Sequence, residues 1–217
     1  MAAIFVMQGI DLSALIARLY PICRSITGDG VRETLRILRE QISLEVREVP
    51  TGTQVFDWTV PREWNIRDAW IKDSTGNKLI DFRELNLHVV SYSSPIRRKM
   101  SFAELRKHLF TVPGHPAWVP YRTSYYKENW GICLSEDQLS QFDDAQEYEV
   151  LIDSSLEDGH LTYGEYLLPG DEEKEVLISC HVCHPSLADD NLSGIAVAAA
   201  LAQRLKSLPR RYSYRFL

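Results

Sequence analysis

No apolar run in this chain is long enough to cross a bilayer, so no spanning helix is expected. The apolar start, Met1 to Met7, is short and carries no basic beginning, which argues against an export signal. Cysteine is scarce: Cys23, Cys133, Cys180 and Cys183 are too few and too unevenly spaced for a disulfide scaffold. A reduced, cytoplasmic setting without a membrane partner is the expectation. Positive charge is also in short supply, with 24 Lys and Arg against 30 Asp and Glu and a net charge of -6, so no nucleic-acid surface is expected. Between Glu136 and Glu173 there is neither Lys nor Arg among thirteen acidic residues, which predicts an exposed helix over 136–142 and strand edges kept apart by charge. What is present is ordinary for a globular protein: 217 residues, 45% hydrophobic and 25% charged, enough for one sizeable or two small domains.

The chain is organised around a stretch near its end. Val176, Leu177 and Ile178 form a short apolar run of the kind expected of a strand buried on both faces, and a polar cluster starts where that run stops. The cluster reads Cys180-His181-Val182-Cys183-His184, then Asp189-Asp190-Asn191. From Leu192 the apolar residues Leu192, Ile195, Ala196, Ala199, Leu201 and Leu205 recur at helical spacing, with small residues suited to packing on a sheet. Histidines and aspartates thus collect between the carboxyl end of a strand and the head of a helix, where open α/β sheets place their ligands.

Three chemistries suit those residues. Imidazole with carboxylate fits a borderline cation such as zinc, so His181 or His184 with Asp190 would supply part of a metal shell. The pattern C-x-x-C-H also matches covalent haem attachment, or a redox pair, although a redox pair normally opens a helix and this one closes a strand. The plainest alternative is that Asp189 and Asp190 only cap a helix while the histidines are hydrogen-bonded loop residues. One acidic residue suffices for capping, and here three acidic or amide residues stand together beside two histidines.

Upstream, Asp11 to Ile42 predicts two helices, the first ended by Pro21 and the second capped by Asp29 or Thr27; Arg24, Ser25 and Thr27 form either an anion-binding helix start or a plain capped turn. Residues 44–49 and 55–91 alternate as strands, with a turn at Asp73 to Asn77 and a further strand over Leu85 to Ser91. Trp58, Trp64 and Trp70 are expected in the core of this β-rich segment rather than on a sugar or peptide surface. Ser101 to Leu109 predicts a short helix with a capping box at Ser101 and Glu104, amid a basic group of Arg97, Arg98, Lys99, Arg106 and Lys107 that reads as a wet face. Strands are expected over 149–153, 161–168 and 212–217.

The stretch from Ser179 to Gly194 resembles the hallmark of bacterial proteins with an aminopeptidase-like domain, the DUF4910 group, which are relatives of the M28-type zinc aminopeptidases and are often labelled polysaccharide biosynthesis proteins. Arg24 to Gly28, Gly30 to Leu35 and Phe56 to Ile71 are similar to that family's first helices and to its DUF2172 insert. The resemblance implies a mixed α/β sheet with helices on both faces, interrupted by a β-rich insert, with the C-terminal half of the sheet domain beyond this sequence. The implied division is 1–49 for the first helices and strand, 50–125 for the insert and 126–217 for the sheet domain.

It further implies zinc, one or two ions in a shell incomplete in this chain, with His181 matching the metal-binding histidine and Asp190 the aspartate that bridges two metals. Cys183 stands where the family has the aspartate that orients the histidine. The family's general-base glutamate and its later ligands fall beyond Leu217, and Glu165, Glu172, Glu173 and Glu175 read as solvated surface. The implied activity is hydrolysis of a peptide-like or amino-sugar amide by metal-activated water, with a separate chain as a candidate source of the missing half. The other reading is a non-catalytic remnant or binding module tied to polysaccharide biosynthesis.

Overall fold

The computed structural model describes residues 9–125 and 127–217; the apolar start, Met1 to Met7, lies outside the described residues. The elements run α1 (Leu12–Leu19), α2 (Asp29–Leu38), β1 (Glu45–Pro50), β2 (Gln54–Val55), β3 (Trp58–Thr59), β4 (Glu63–Lys72), β5 (Lys78–Asp81) and β6 (Ile96–Ser101). Next come α3 (Phe102–Leu105), β7 (Leu109–Phe110), β8 (Ile132–Cys133), α4 (Glu136–Leu139), β9 (Glu147–Glu157), β10 (His160–Leu168), β11 (Glu172–Ile178), α5 (Ser193–Lys206) and β12 (Tyr212–Phe216). They form two compact units, one of the chain up to Val49 with Thr162–Leu217, the other Pro50–Leu161.

The first unit is a four-stranded mixed sheet in the order β1-β10-β12-β11. Strand β12 pairs antiparallel with β10 and parallel with β11, so β11, α5 and β12 make a parallel crossover. Gly164, Tyr166 and Leu168 share one face of β10, and that face meets Leu35 and Leu38 of α2, Leu15 and Leu19 of α1, and Ile195, Ala196 and Ala199 of α5 in one core. The resemblance leads to helices on both faces; among the described residues α1, α2 and α5 share this one. On the opposite face an ion-pair ladder crosses the strands. Glu165 of β10 accepts from Arg47 of β1 at 2.6 Å and pairs with Arg215 of β12, which also reaches Glu175 of β11 at 2.5 Å. Glu165 is therefore a paired carboxylate, not a merely solvated one.

Three expectations for this unit are corrected. Strand β11 lies at the sheet edge, where Val176 is 37% and Leu177 58% exposed, so the apolar run is not buried on both faces. Leu201 of α5 is likewise 40% exposed. Helix α1 is capped by Asp11, whose side chain accepts the Ala14 N–H at 3.0 Å, but the N-cap of α2 is Gly28 with no side-chain bond, in place of Asp29 or Thr27. The φ of 93° at Gly28 explains the choice, since a residue with a Cβ would be strained there. Arg24, Ser25 and Thr27 are each only 1% exposed, which closes that helix start to an anion from solvent.

The second unit is built on an antiparallel sheet in the order β5-β4-β9-β6. Trp64, Trp70, Ile71, Ile80, Met100, Tyr148, Val150 and Ile152 are buried, and Trp64 donates its indole N–H to the Ser93 backbone oxygen at 2.9 Å. The turn between β4 and β5 is held by Asp73, whose carboxylate accepts the N–H groups of Thr75 and Asn77 at 2.9 Å each. Leu85 to Ser91 is a 3-10 turn at Asn86–His88 with isolated bridges, not a strand. The helix expected over 101–109 is one turn, α3, followed by a 3-10 turn, and Ser101 accepts from Glu104 N–H at 3.4 Å. The helix expected over 136–142 is the single turn α4, with the Ser135 and Gln138 capping box.

Residues 127–161, within the stretch assigned on sequence to the sheet domain, belong to this second unit because β9 is the strand between β4 and β6. The acidic passage is balanced by arginines from elsewhere, Arg67 on Asp153 at 3.0 Å and Arg97 on Glu149 at 3.4 Å, so its charge pairs across strands instead of standing apart. His115 stacks on Trp118 with ring centroids 3.9 Å apart.

Candidate metal centre

Strand β11 hands over to the motif through two backbone bonds with Leu217, the residue after β12: its N–H donates to Ile178 O at 2.9 Å, and its oxygen accepts the Cys180 N–H at 2.8 Å. The loop that follows is pinned beneath. Arg24 donates from Nε to the His184 backbone oxygen at 2.9 Å and from Nη1 to Leu19 O at 2.7 Å, while Ser186 Oγ donates to Tyr20 O at 2.8 Å. The C-terminal carbonyls of α1, left over by the helix itself, thus anchor the loop through buried side chains.

Ala188–Leu192 forms an irregular turn ahead of α5, with Asp190 (φ -124°, ψ 78°) and Asn191 (φ -147°, ψ 33°) off helical values and a cis Asp190–Asn191 peptide. Helix α5 takes Leu192 as its N-cap without a side-chain bond, so the aspartates do not act as its cap. The Asp190 carboxylate instead meets both imidazoles: Oδ1 is 3.2 Å from His181 Nε2 and Oδ2 is 3.9 Å from His184 Nε2. The two rings are 4.7 Å apart at 61°. Asn191 supports the loop from the other side, donating to Cys180 Sγ at 3.1 Å and to His181 O at 3.2 Å.

Cys183 lies behind the imidazoles, with Sγ 3.0 Å from His184 Nδ1 and 3.6 Å from His181 Nδ1. His181, Cys183 and His184 each offer a ligand atom within 4.8 Å of the others. Burial raises the thiol pKa of Cys183, the Asp190 charge adds to the rise, and burial also raises that of Cys180. Both shifts oppose thiolate formation, the reverse of what an activated redox cysteine requires. Burial lowers the His184 pKa against the pull of Asp190, which favours the neutral imidazole that can donate a lone pair.

Two imidazole nitrogens and a carboxylate suit zinc. Zinc ligands at about 2.0–2.2 Å in tetrahedral array stand roughly 3.4 Å from one another; the 3.2 Å between His181 Nε2 and Asp190 Oδ1 is compatible with that edge and equally with a direct ion pair. The structure therefore brings together the residues singled out on sequence, His181 and Asp190, with His184 beside them. What sequence reasoning missed is the support: Arg24 was visible only as a possible anion ligand, and Ser186 and Asn191 had no signal that separated them from loop and cap residues.

The cluster sits at the carboxyl end of β11, on a mixed sheet backed by helices. The family model described as a domain of unknown function, DUF4910, matches residues 13–217, and the chain belongs to that family. It is 54% identical over 209 residues to a Clostridium acetobutylicum protein provisionally named for polysaccharide biosynthesis with an aminopeptidase-like domain. That alignment covers 96% of this chain and 48% of the relative, so the chain spans about half the relative's length. A crystal structure of a candidate peptidase from the same organism superposes with a TM-score of 0.93 at 54% identity, over 94% of this chain and 48% of that one. A zinc aminopeptidase of Bacillus subtilis matches at TM-score 0.58 and 12% identity, over 94% of this chain and 58% of its own. An M28 peptidase precursor of Shewanella amazonensis matches at 0.54 and 11%, over 94% and 61%. These last two similarities are of fold.

Proposed function

We propose that this chain is the metal-gripping portion of a zinc-dependent aminopeptidase-like hydrolase, with His181 and Asp190 holding the cation. The observation that carries the reading is the 3.2 Å approach of His181 Nε2 to Asp190 Oδ1 at the carboxyl end of a strand, in a chain whose fold is shared with a zinc aminopeptidase. When bound, zinc supplies Lewis acidity toward an amide carbonyl and lowers the pKa of water. The chain's own residues fix the geometry of that site. Arg24 and Ser186 hold the loop, and Asn191 ties the helix side to the strand side. The substrate class we propose is an amide, peptide-like or an amino-sugar conjugate; the relative's name supports an aminopeptidase-like domain and a link to polysaccharide biosynthesis. The general base and the remaining ligands are assigned to polypeptide equivalent to the rest of the relatives' length, including a separate chain as a candidate partner. Metal analysis of the purified protein tests the reading: zinc should be retained by the unaltered chain and lost from His181→Ala and from Asp190→Asn. Equal zinc in all three would remove the assignment.

A further inference from the structure

We infer that His184 is a second imidazole ligand of the same cation, and that Cys183 is a positioning residue whose single sulfur orients both imidazoles from behind. The inference rests on the metal reading above and adds to it which nitrogens bind and what holds them. Each ring presents the same pair of contacts. Nδ1 of His181 and of His184 lies 3.6 and 3.0 Å from Cys183 Sγ, while Nε2 of each faces one oxygen of Asp190, at 3.2 and 3.9 Å.

An imidazole that keeps an Nε2 lone pair for a cation carries its proton on Nδ1, and that N–H needs an acceptor. Sulfur is a weak acceptor that can take both N–H groups at once. The part that a carboxylate or carbonyl plays behind most metal-bound histidines falls here to Cys183. Arg24 adds a second constraint by holding the His184 backbone oxygen at 2.9 Å, so the ring that is 20% exposed has its main chain fixed from beneath. Asp190 meets both imidazoles, one with each carboxylate oxygen.

Cobalt(II) titration of the purified chain, followed by absorbance, tests this. Visible ligand-field bands should grow in without a thiolate-to-cobalt charge-transfer band in the near ultraviolet. His184→Ala should weaken cobalt binding at least about tenfold, and Cys183→Ala about 10- to 100-fold. Cys183→Ser should recover most of that loss, because its hydroxyl oxygen accepts the same N–H groups. A near-ultraviolet charge-transfer band in the unaltered chain would overturn the positioning role by placing sulfur among the ligands, and this reading needs no variant to fold. Unchanged affinity in both alanine variants, with native circular dichroism, would overturn the inference while leaving His181 and Asp190 in place. Absence of ligand-field bands from the unaltered chain would instead sink the metal reading on which it rests.

Discussion

The guanidinium of Arg24 donates to the backbone oxygen of His184 across 160 residues of sequence, at 2.9 Å, from a side chain that is 1% exposed. Burial lowers its pKa to about 10, which still leaves it charged at neutral pH. A buried cation whose bonds go to carbonyls of α1 and of the motif loop is a rivet between the first helix and the site. The shape of the site therefore depends on a residue that touches none of its ligand atoms.

Replacing Arg24 removes charge-assisted bonds and leaves the Leu19 and His184 oxygens without those donors. Arg24→Met should destabilise the protein by about 2–4 kcal/mol, read from urea unfolding. Arg24→Lys should be nearly as harmful, since one ammonium cannot reproduce the spread of Nε and Nη1. Zinc affinity should fall in both, because His184 loses its anchor. A lysine variant with native stability would show that charge alone, not the fork, holds the loop.

Gly30 in the first turn of α2 gives a second prediction. A Cβ built there would lie 2.0 Å from the Cys23 backbone oxygen and 2.8 Å from its carbonyl carbon. Main chain cannot swing aside as a side chain can, so Gly30→Ala should cost about 1–3 kcal/mol or more. Thermal unfolding should show it as a lowered midpoint with unchanged secondary structure at low temperature.

Much of the site was legible because its chemistry is local: a strand end, two histidines and an Asp-Asp-Asn run lie within fourteen residues, and helical spacing after Leu192 marks the start of α5. The support was not legible. Arg24 meets His184 only through tertiary packing, and no periodicity reports a partner 160 residues away. The apolar run Val176 to Ile178 misled for a related reason. Hydrophobicity says that a strand wants cover, not which strand of the sheet supplies it, and among the described residues β11 pairs with β12 on one side only. The insert's true extent escaped because β9 is sequence-distant from β4, although the two pair from Glu63 to Lys72.

That edge can be probed directly. Leu177 sits on β11 at 58% exposure, so Leu177→Lys should change urea stability by no more than about 0.5 kcal/mol. Light scattering at rising protein concentration should show less self-association, since lysine on an edge strand discourages strand addition. A loss of stability approaching that of a core substitution would contradict the exposed placement of this side chain.

His88 supplies a pH dependence away from the candidate site. Its ring is buried, with Nδ1 2.7 Å from Cys133 O and Nε2 3.4 Å from the Gln138 amide nitrogen. Burial lowers its pKa from the usual 6.5. The folded state therefore binds less proton than the unfolded state just below pH 6.5, so the contribution is full above that value. It is lost as pH falls from 6.5 toward the folded pKa. Carboxylates held down by arginine partners, such as Glu33 and Glu40, act only below the ordinary 4.5, whereas His184, also lowered by burial, contributes in the same window and with the same sign. Urea midpoints should drop between about pH 7.5 and 5.5, and His88→Gln should flatten the slope.

Zinc linkage tests the proposed metal site in energetic terms. A cation that binds the folded chain and not the unfolded one stabilises it by about 2.7 kcal/mol at a free concentration one hundred times Kd. The unaltered chain should therefore shift its urea midpoint upward with added zinc, and a chelator should reverse the shift. Asp190→Asn removes the charge of a proposed ligand, so its shift should be lost. His181→Ala deletes the nitrogen that sits 3.2 Å from that carboxylate, and its shift should vanish. Because Asp190 and His181 are 61% and 48% exposed at the side chain, neither change should cost much stability without metal. Any deficit that appears only in the presence of zinc then belongs to the ligands and not to the fold.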